Sequence, residues 1–171
     1  LLRGGASVDH REAKGRMPIH LAALQGHTVI VKMLIEQGAY VDSRDRRSHL
    51  TPLIYASSSG SLETVKLLHK NGAKINAINK DGGTALMNAS FKGHKHIVEY
   101  LLQNGAKVNM QVDDGYTALM FAGEKGHKEI VSLLLSEGAD PSLKMDKGLN
   151  VLDIARQYQN EGVITVIQQH R

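Results

Sequence analysis

Asn79 to Gln111 reads NKDGGTALMNASFKGHKHIVEYLLQNGAKVNMQ. Asp81-Gly82-Gly83 is a turn signal, because glycine takes a positive φ without steric cost. Thr84 follows as a predicted N-cap, its hydroxyl placed to accept from an unpaired backbone N–H of the next turn. A short helix is expected from about Ala85 to Lys92, stopped by Gly93. A second should begin near Lys95, where Ile97, Val98, Leu101 and Leu102 share one broad apolar face. Gly105 closes it with a left-handed cap. Val108-Asn109 then reads as an extended arm leading to the next turn at Asp114-Gly115. Neither helix is long enough to be stable alone in water, so each must bury its face on a neighbour.

The stretch repeats. Gly-Ala recurs at Gly5-Ala6, Gly38-Ala39, Gly72-Ala73, Gly105-Ala106 and Gly138-Ala139, in steps of 33, 34, 33 and 33 residues. A fixed period of that size denotes stacked units sharing a continuous core stripe rather than one closed core. With aromatics at 4% and no Trp, that stripe must be built from Leu, Ile, Val, Ala and Met. The chain has no Cys, which excludes disulfides and thiolate chemistry. No apolar run approaches the roughly 18 residues of a membrane span, and no signal-peptide pattern opens the chain.

These residues resemble the ankyrin repeat. Its Thr-Pro-Leu-His slot reads Met17-Pro18-Ile19-His20, Thr51-Pro52-Leu53-Ile54, Thr84-Ala85-Leu86-Met87, Thr117-Ala118-Leu119-Met120 and Asn150-Val151-Leu152-Asp153. Its Gly-His slot reads Gly26-His27, Gly60-Ser61, Gly93-His94 and Gly126-His127, and its Leu-Leu slot includes Leu67-Leu68, Leu101-Leu102 and Leu134-Leu135. The resemblance covers essentially the whole chain. It implies an all-α ankyrin-repeat solenoid of helix–turn–helix pairs joined by β-hairpin-like loops, in one domain over 1–171.

The expected divisions are the end of a preceding repeat at 1–10, repeats at 11–45, 46–78, 79–111 and 112–144, and a C-terminal capping repeat at 145–171. Gln159-Asn160 replaces Gly-His in the last unit, and its end is polar, as a terminal repeat requires. The N-terminus opens in the Leu-Leu slot, so further repeat is expected upstream.

Net charge is +4 and uneven: residues 1–100 hold 14 Lys/Arg against 8 Asp/Glu, and residues 101–171 hold 7 against 9. That asymmetry could steer a polar partner, or be ordinary surface charge. Nine His residues raise the question of metal. His27, His94 and His127 occupy a helix start and His20 an inter-repeat turn, and the resemblance implies backbone hydrogen bonds for them. His94 and His127 should stand about 10 Å apart, a packed-helix spacing, too far to share an ion with bonds of about 2 Å. No phosphate-loop signature accompanies the glycine turns, and carboxylates sit singly at turns. No enzymatic site, metal or cofactor is expected.

Arg44-Asp45-Arg46-Arg47-Ser48-His49 departs from the pattern. Gly38 to Thr51 spans 13 residues where the matching interval elsewhere is 12, and His49 stands where Gly15, Gly82, Gly115 and Gly148 stand in other turns. Arginine forks suit carboxylates and phosphates, so this loop reads either as a solvated irregularity or as a contact for an acidic partner.

The resemblance implies partner binding on the concave face, through loop tips and exposed positions of the first helix of each pair. Carried over by slot, the helix positions are Leu24, Gln25, Ser58, Ser59, Phe91, Lys92, Glu124, Lys125, Gln157 and Tyr158. The tip positions are Lys14, Arg16, Arg47, Leu50, Asp81, Gly83, Asp114 and Tyr116. Arg44 and Arg46 join them through the irregular loop. Phe91 and Tyr116 are candidate anchors, since large aromatics often are, although Phe91, Leu24 and Leu50 could instead cover neighbouring repeats. Tyr55 and Phe121 are expected to pack. Asn76 and Asn109 fill the arm slot that in the family can be hydroxylated. The expected partner is a protein or peptide with acidic groups, bound by a monomer. Nucleic-acid or polyanion recognition by the basic half is disfavoured by the scarcity of aromatic platforms, and a targeting role within a larger enzyme stays open. The resemblance favours an intracellular setting, cytoplasmic or nuclear.

Overall fold

In the computed structural model, which describes residues 7–170, ten short helices follow one another in five pairs. The pairs are α1 (Pro18–Leu24) and α2 (Thr28–Glu36), α3 (Pro52–Ser59) and α4 (Leu62–Lys70), α5 (Ala85–Lys92) and α6 (Lys95–Gln103), α7 (Ala118–Glu124) and α8 (Lys128–Ser136), and α9 (Val151–Gln157) and α10 (Glu161–Gln169). The first helices of the pairs lie side by side in one layer, and the second helices form a layer behind them. The expected tail of a preceding repeat falls largely on residues 1–6, outside the described residues.

Side-chain hydrogen bonds mark the start of the first helix of each pair. The Thr51, Thr84 and Thr117 hydroxyls accept from the N–H groups of Ile54, Met87 and Met120 at 3.3, 3.3 and 3.2 Å. Met17 has no hydroxyl, and there His20 takes over: its Nδ1 accepts from the Met17 N–H at 2.9 Å. Asn150 and Asp153 cap α9 reciprocally. At the end of α6, the N–H groups of Gly105 and Ala106 donate back to Leu102 and Leu101 at 3.1 and 2.9 Å, which satisfies two otherwise unpaired carbonyls.

Packing between repeats runs along one apolar stripe. Ile19, Leu53, Leu86, Leu119 and Ile154 of the front layer are buried with Leu34, Leu68, Leu101 and Leu134 of the back layer. Between layers, the His94 Nε2–H donates to the Ser58 carbonyl and His127 to the Phe91 carbonyl, both at 3.2 Å. Asn160 does the same for Gly123 and Glu124 at 2.8 and 2.9 Å. Each imidazole sits close against a glycine of the preceding repeat, so a Cβ on Gly93 would stand 2.7 Å from the His127 ring.

The connecting loops are fingers of tight turns, and no strand forms among the described residues. One isolated antiparallel bridge pairs Gln111 with Thr117. Val108-Asn109, expected to be extended, is a turn. The turn belongs to the repeat itself, recurring at 41–42, 75–76 and 141–142, and here the Asn109 carboxamide clamps it to the next repeat, donating to the Gly138 carbonyl at 3.1 Å and accepting from the Asp140 N–H at 2.9 Å. Asn76 makes the same clamp to Gly105 and Lys107, at 2.9 Å each.

Candidate partner-binding surface

Five finger turns close on backbone hydrogen bonds from Glu12 to Arg16, Asp45 to Leu50, Asn79 to Gly83, Val112 to Tyr116 and Met145 to Leu149, at 2.9–3.1 Å. The second has the extra residue, and Asp45 organises it. Its buried carboxylate accepts from the N–H groups of Arg47, Ser48 and Leu50 at 2.8, 2.7 and 3.2 Å, and from the Tyr55 hydroxyl at 3.0 Å. Burial pushes the Asp45 pKa up, and these hydrogen bonds outweigh it, holding the carboxyl below its ordinary value. Burial first, and then this carboxylate, push the Tyr55 phenol up to about 12. His49 takes the left-handed conformation of the missing glycine, with φ 56°.

Successive fingers are stitched together. Lys80, Asp113 and Asp146 donate their N–H groups to the Ser48, Asp81 and Asp114 carbonyls at 2.9, 3.0 and 3.0 Å. At the finger bases, Arg11 donates to the Arg44 carbonyl at 2.9 Å, Arg44 to the Ile78 carbonyl at 2.8 Å and Gln111 to the Lys144 carbonyl at 3.1 Å. Arg44, expected among the free cations of the irregular loop, is thus a strap between repeats. The cause is its position one residue before the turn, where its side chain lies along the next finger. Arg16 is likewise engaged, half-buried and 3.0 Å from Glu12, whose carboxyl its hydrogen bond draws down to about 2.

Lys14, Arg46 and Arg47 remain exposed at the first two tips. They line a shallow cavity of about 350 Å³ with Glu12, Ala13 and Gly15. Asp81 and Asp114 are exposed at the third and fourth tips, and Tyr116 is half-buried at the base of the fourth. Burial, with the nearby Glu124 carboxylate, pushes the Tyr116 phenol up to about 12. Leu50 is half-buried against the core, and Gly83 is buried, its N–H held by Asn79 Oδ1 at 2.6 Å.

On the helices, Gln25, Lys92, Lys125 and Gln157 are exposed and Tyr158 is 49% exposed. Leu24 and Ser58 are half-buried, and Ser59 is turned inward, its hydroxyl within hydrogen-bond reach of the Ala56 and Ala23 carbonyls at 2.9 and 3.2 Å. Glu124 is half-buried, its carboxylate 2.7 Å from the Lys125 ammonium.

Phe91 is half-buried and meets Phe121 edge to face, with ring centroids 5.8 Å apart. Phe121 also lies against Tyr116 at 5.0 Å. The two Phe rings line a cavity of about 480 Å³ between the third and fourth fingers, floored with Met87 and Val112 and rimmed by Asp81, Asp113 and Asp114. Phe121 thus does more than pack, and Asp113 more than shape a turn. Their place here depends on the stacking of neighbouring repeats, and a signal existed only in the phase: Phe121 falls 30 residues after Phe91, on the inner helix of the next pair. Among the described residues, no cluster of three or more His, Asp or Glu is arranged to hold a metal ion, and no helix is long and apolar enough to cross a membrane.

Paired helices capped by Thr, tied by His and carrying stitched fingers define a linear repeat protein. The chain belongs to the ankyrin-repeat family, whose family model, described as ankyrin repeats (3 copies), matches residues 1–79 and 71–145. It is 36% identical over 74 residues to a B-cell lymphoma 3 protein homolog of Mus musculus, covering 43% of this chain and 16% of that one. It is 35% identical over 79 residues to ankyrin repeat domain-containing protein 37 of Xenopus tropicalis, covering 46% and 48%. It is also 31% identical over 82 residues to glycerophosphocholine phosphodiesterase gde1 of Schizosaccharomyces pombe, covering 48% and 7%. The matched segment spans less than half the length of each of these relatives. Ankyrin repeats generally serve as protein–protein interaction modules.

Proposed function

We propose that this chain binds a partner protein or peptide across its finger tips and inner helices. The observation that carries the reading is how the finger residues divide. Arg11, Arg44 and Gln111 are spent on the backbone of the next finger, whereas Lys14, Arg46 and Arg47 stand exposed around an open cavity. A cationic tip held by a buried carboxylate favours an acidic segment of the partner, because arginine forks bind carboxylates with geometric fit. Acidic tips on the third and fourth fingers weigh against a continuous polyanion lying along the face.

The test is affinity purification with mass spectrometry on the wild-type chain and on a Lys14→Glu/Arg46→Glu/Arg47→Glu variant. Arg44 is left intact because its loss would loosen the fingers themselves. Genuine partners should be depleted on the variant, and their binding to the wild type should weaken with salt. Partners that bind both proteins alike, with the same salt dependence, would remove the electrostatic part of this reading.

A further inference from the structure

The cavity between the third and fourth fingers has a chemistry opposite to that of the first two tips. Its floor is apolar and aromatic, with Met87, Phe91, Val112 and Phe121. Its rim carries the Asp81, Asp113 and Asp114 carboxylates, none of which forms an ion pair among the described residues. Two cations already sit near one of its rings: the Lys125 ammonium lies 4.5 Å from the Phe91 centroid, neutralised by Glu124 at 2.7 Å, and the Lys92 ammonium lies 5.5 Å from it. Apolar walls beneath carboxylates suit a long aliphatic stem with a charged head, and an aromatic face adds attraction for the cation.

We propose that this cavity receives an arginine or lysine side chain of the bound partner, and so sets the partner's register along the array. The assignment rests on the interaction reading above and deepens it. The basic tips lie between the first and second fingers and this cavity between the third and fourth, two repeats apart. At about 10 Å per repeat and about 3.3 Å per extended residue, roughly six residues separate the two contacts. The partner segment is therefore extended and bipolar. Its acidic residues meet Lys14, Arg46 and Arg47, and its cation, about six positions away, enters the cavity. A segment with one sign of charge throughout would meet repulsion at one end.

The experiment is selection of random twelve-residue peptides displayed on phage against the 171-residue chain, followed by fluorescence anisotropy with the selected peptides. Enriched peptides should carry Arg or Lys about six positions from acidic residues. Replacing that Arg or Lys by Gln should weaken binding about tenfold or more, and so should the Asp81→Asn/Asp113→Asn/Asp114→Asn variant, with little further loss when the two are combined. Asn keeps the acceptor that Asp114 offers to the Tyr116 N–H, and circular dichroism checks that the fold is retained. A Lys125→Met variant, which removes the nearer of the two resident cations, should bind at least as tightly. Enriched peptides that lack a cation, or that bind the triple Asn variant unchanged, overturn the cavity assignment and leave the interaction reading standing. Failure to enrich any peptide overturns the cavity assignment, while the interaction reading stands or falls on the affinity purification above.

Discussion

Asp45 is buried at the root of the lengthened finger and satisfies three backbone N–H groups and one hydroxyl. Asp45→Ala leaves these donors without an acceptor and should cost about 2–3 kcal/mol, read from urea unfolding. The same variant should lower the Tyr55 pKa from about 12, by removing the nearby negative charge while burial keeps it above the ordinary value, as followed by ultraviolet titration. His20 supplies a pH dependence. It is fully buried, accepts from Met17 through Nδ1 and donates to the Ser43 carbonyl through Nε2 at 2.9 Å, which fixes the neutral tautomer. Burial lowers its pKa, outweighing the backbone bond to Ser43 and the Asp45 charge, while Arg11 and Arg16 act with burial. The unfolded chain therefore takes up the proton first. His20's contribution is intact above about pH 6.5, the unfolded value, and is lost as pH falls from there toward the lower folded value. The urea midpoint should drop between pH 7.5 and 5, and less steeply in His20→Gln.

At the scale of the element, each helix pair is short and depends on how it meets the next. Gly93 shows the dependence. Its φ of 80° is left-handed, and the His127 ring occupies the space a Cβ would need. Gly93→Ala should destabilise the protein by about 1–3 kcal/mol through both effects, while a glycine with open space around it, such as Gly138, should show the conformational part alone. Guanidinium unfolding of the two variants measures the difference. The helices themselves were legible in the chain: Ala85 to Lys92, the Thr84 cap and the restart at Lys95 follow from local rules and are observed. The arm at Val108-Asn109 was not, because period-two alternation over two residues cannot tell an extended segment from a turn. The turn recurs at 41–42, 75–76 and 141–142 whatever residue fills the polar slot, so it belongs to the path from helix to finger rather than to one side chain.

Across the whole molecule, stability is a sum over repeats and the contacts between neighbours. Leu119→Ala in the fourth pair removes a buried side chain and should cost about 2–5 kcal/mol. Because contacts are to nearest neighbours, hydrogen-exchange protection should fall in α7 to α10 well before it falls in α1 and α2. Uniform loss along the array would contradict this one-dimensional picture. The repeat, the helices, the caps and the phase can be read from the order of residues, because these rest on local conformational preference and on a periodic apolar face. That order also exposes the irregular finger, since an inserted residue and a missing glycine are visible in one dimension. Which polar groups are free emerges when the repeats stack. Arg44 and Arg46 look alike in the chain, yet one lies along the next finger and bonds its carbonyl while the other faces solvent. Phe91 and Phe121 likewise become one cavity only when their helices stack. Both outcomes depend on where the neighbouring repeat puts its backbone, a distance in space with no fixed counterpart along the chain.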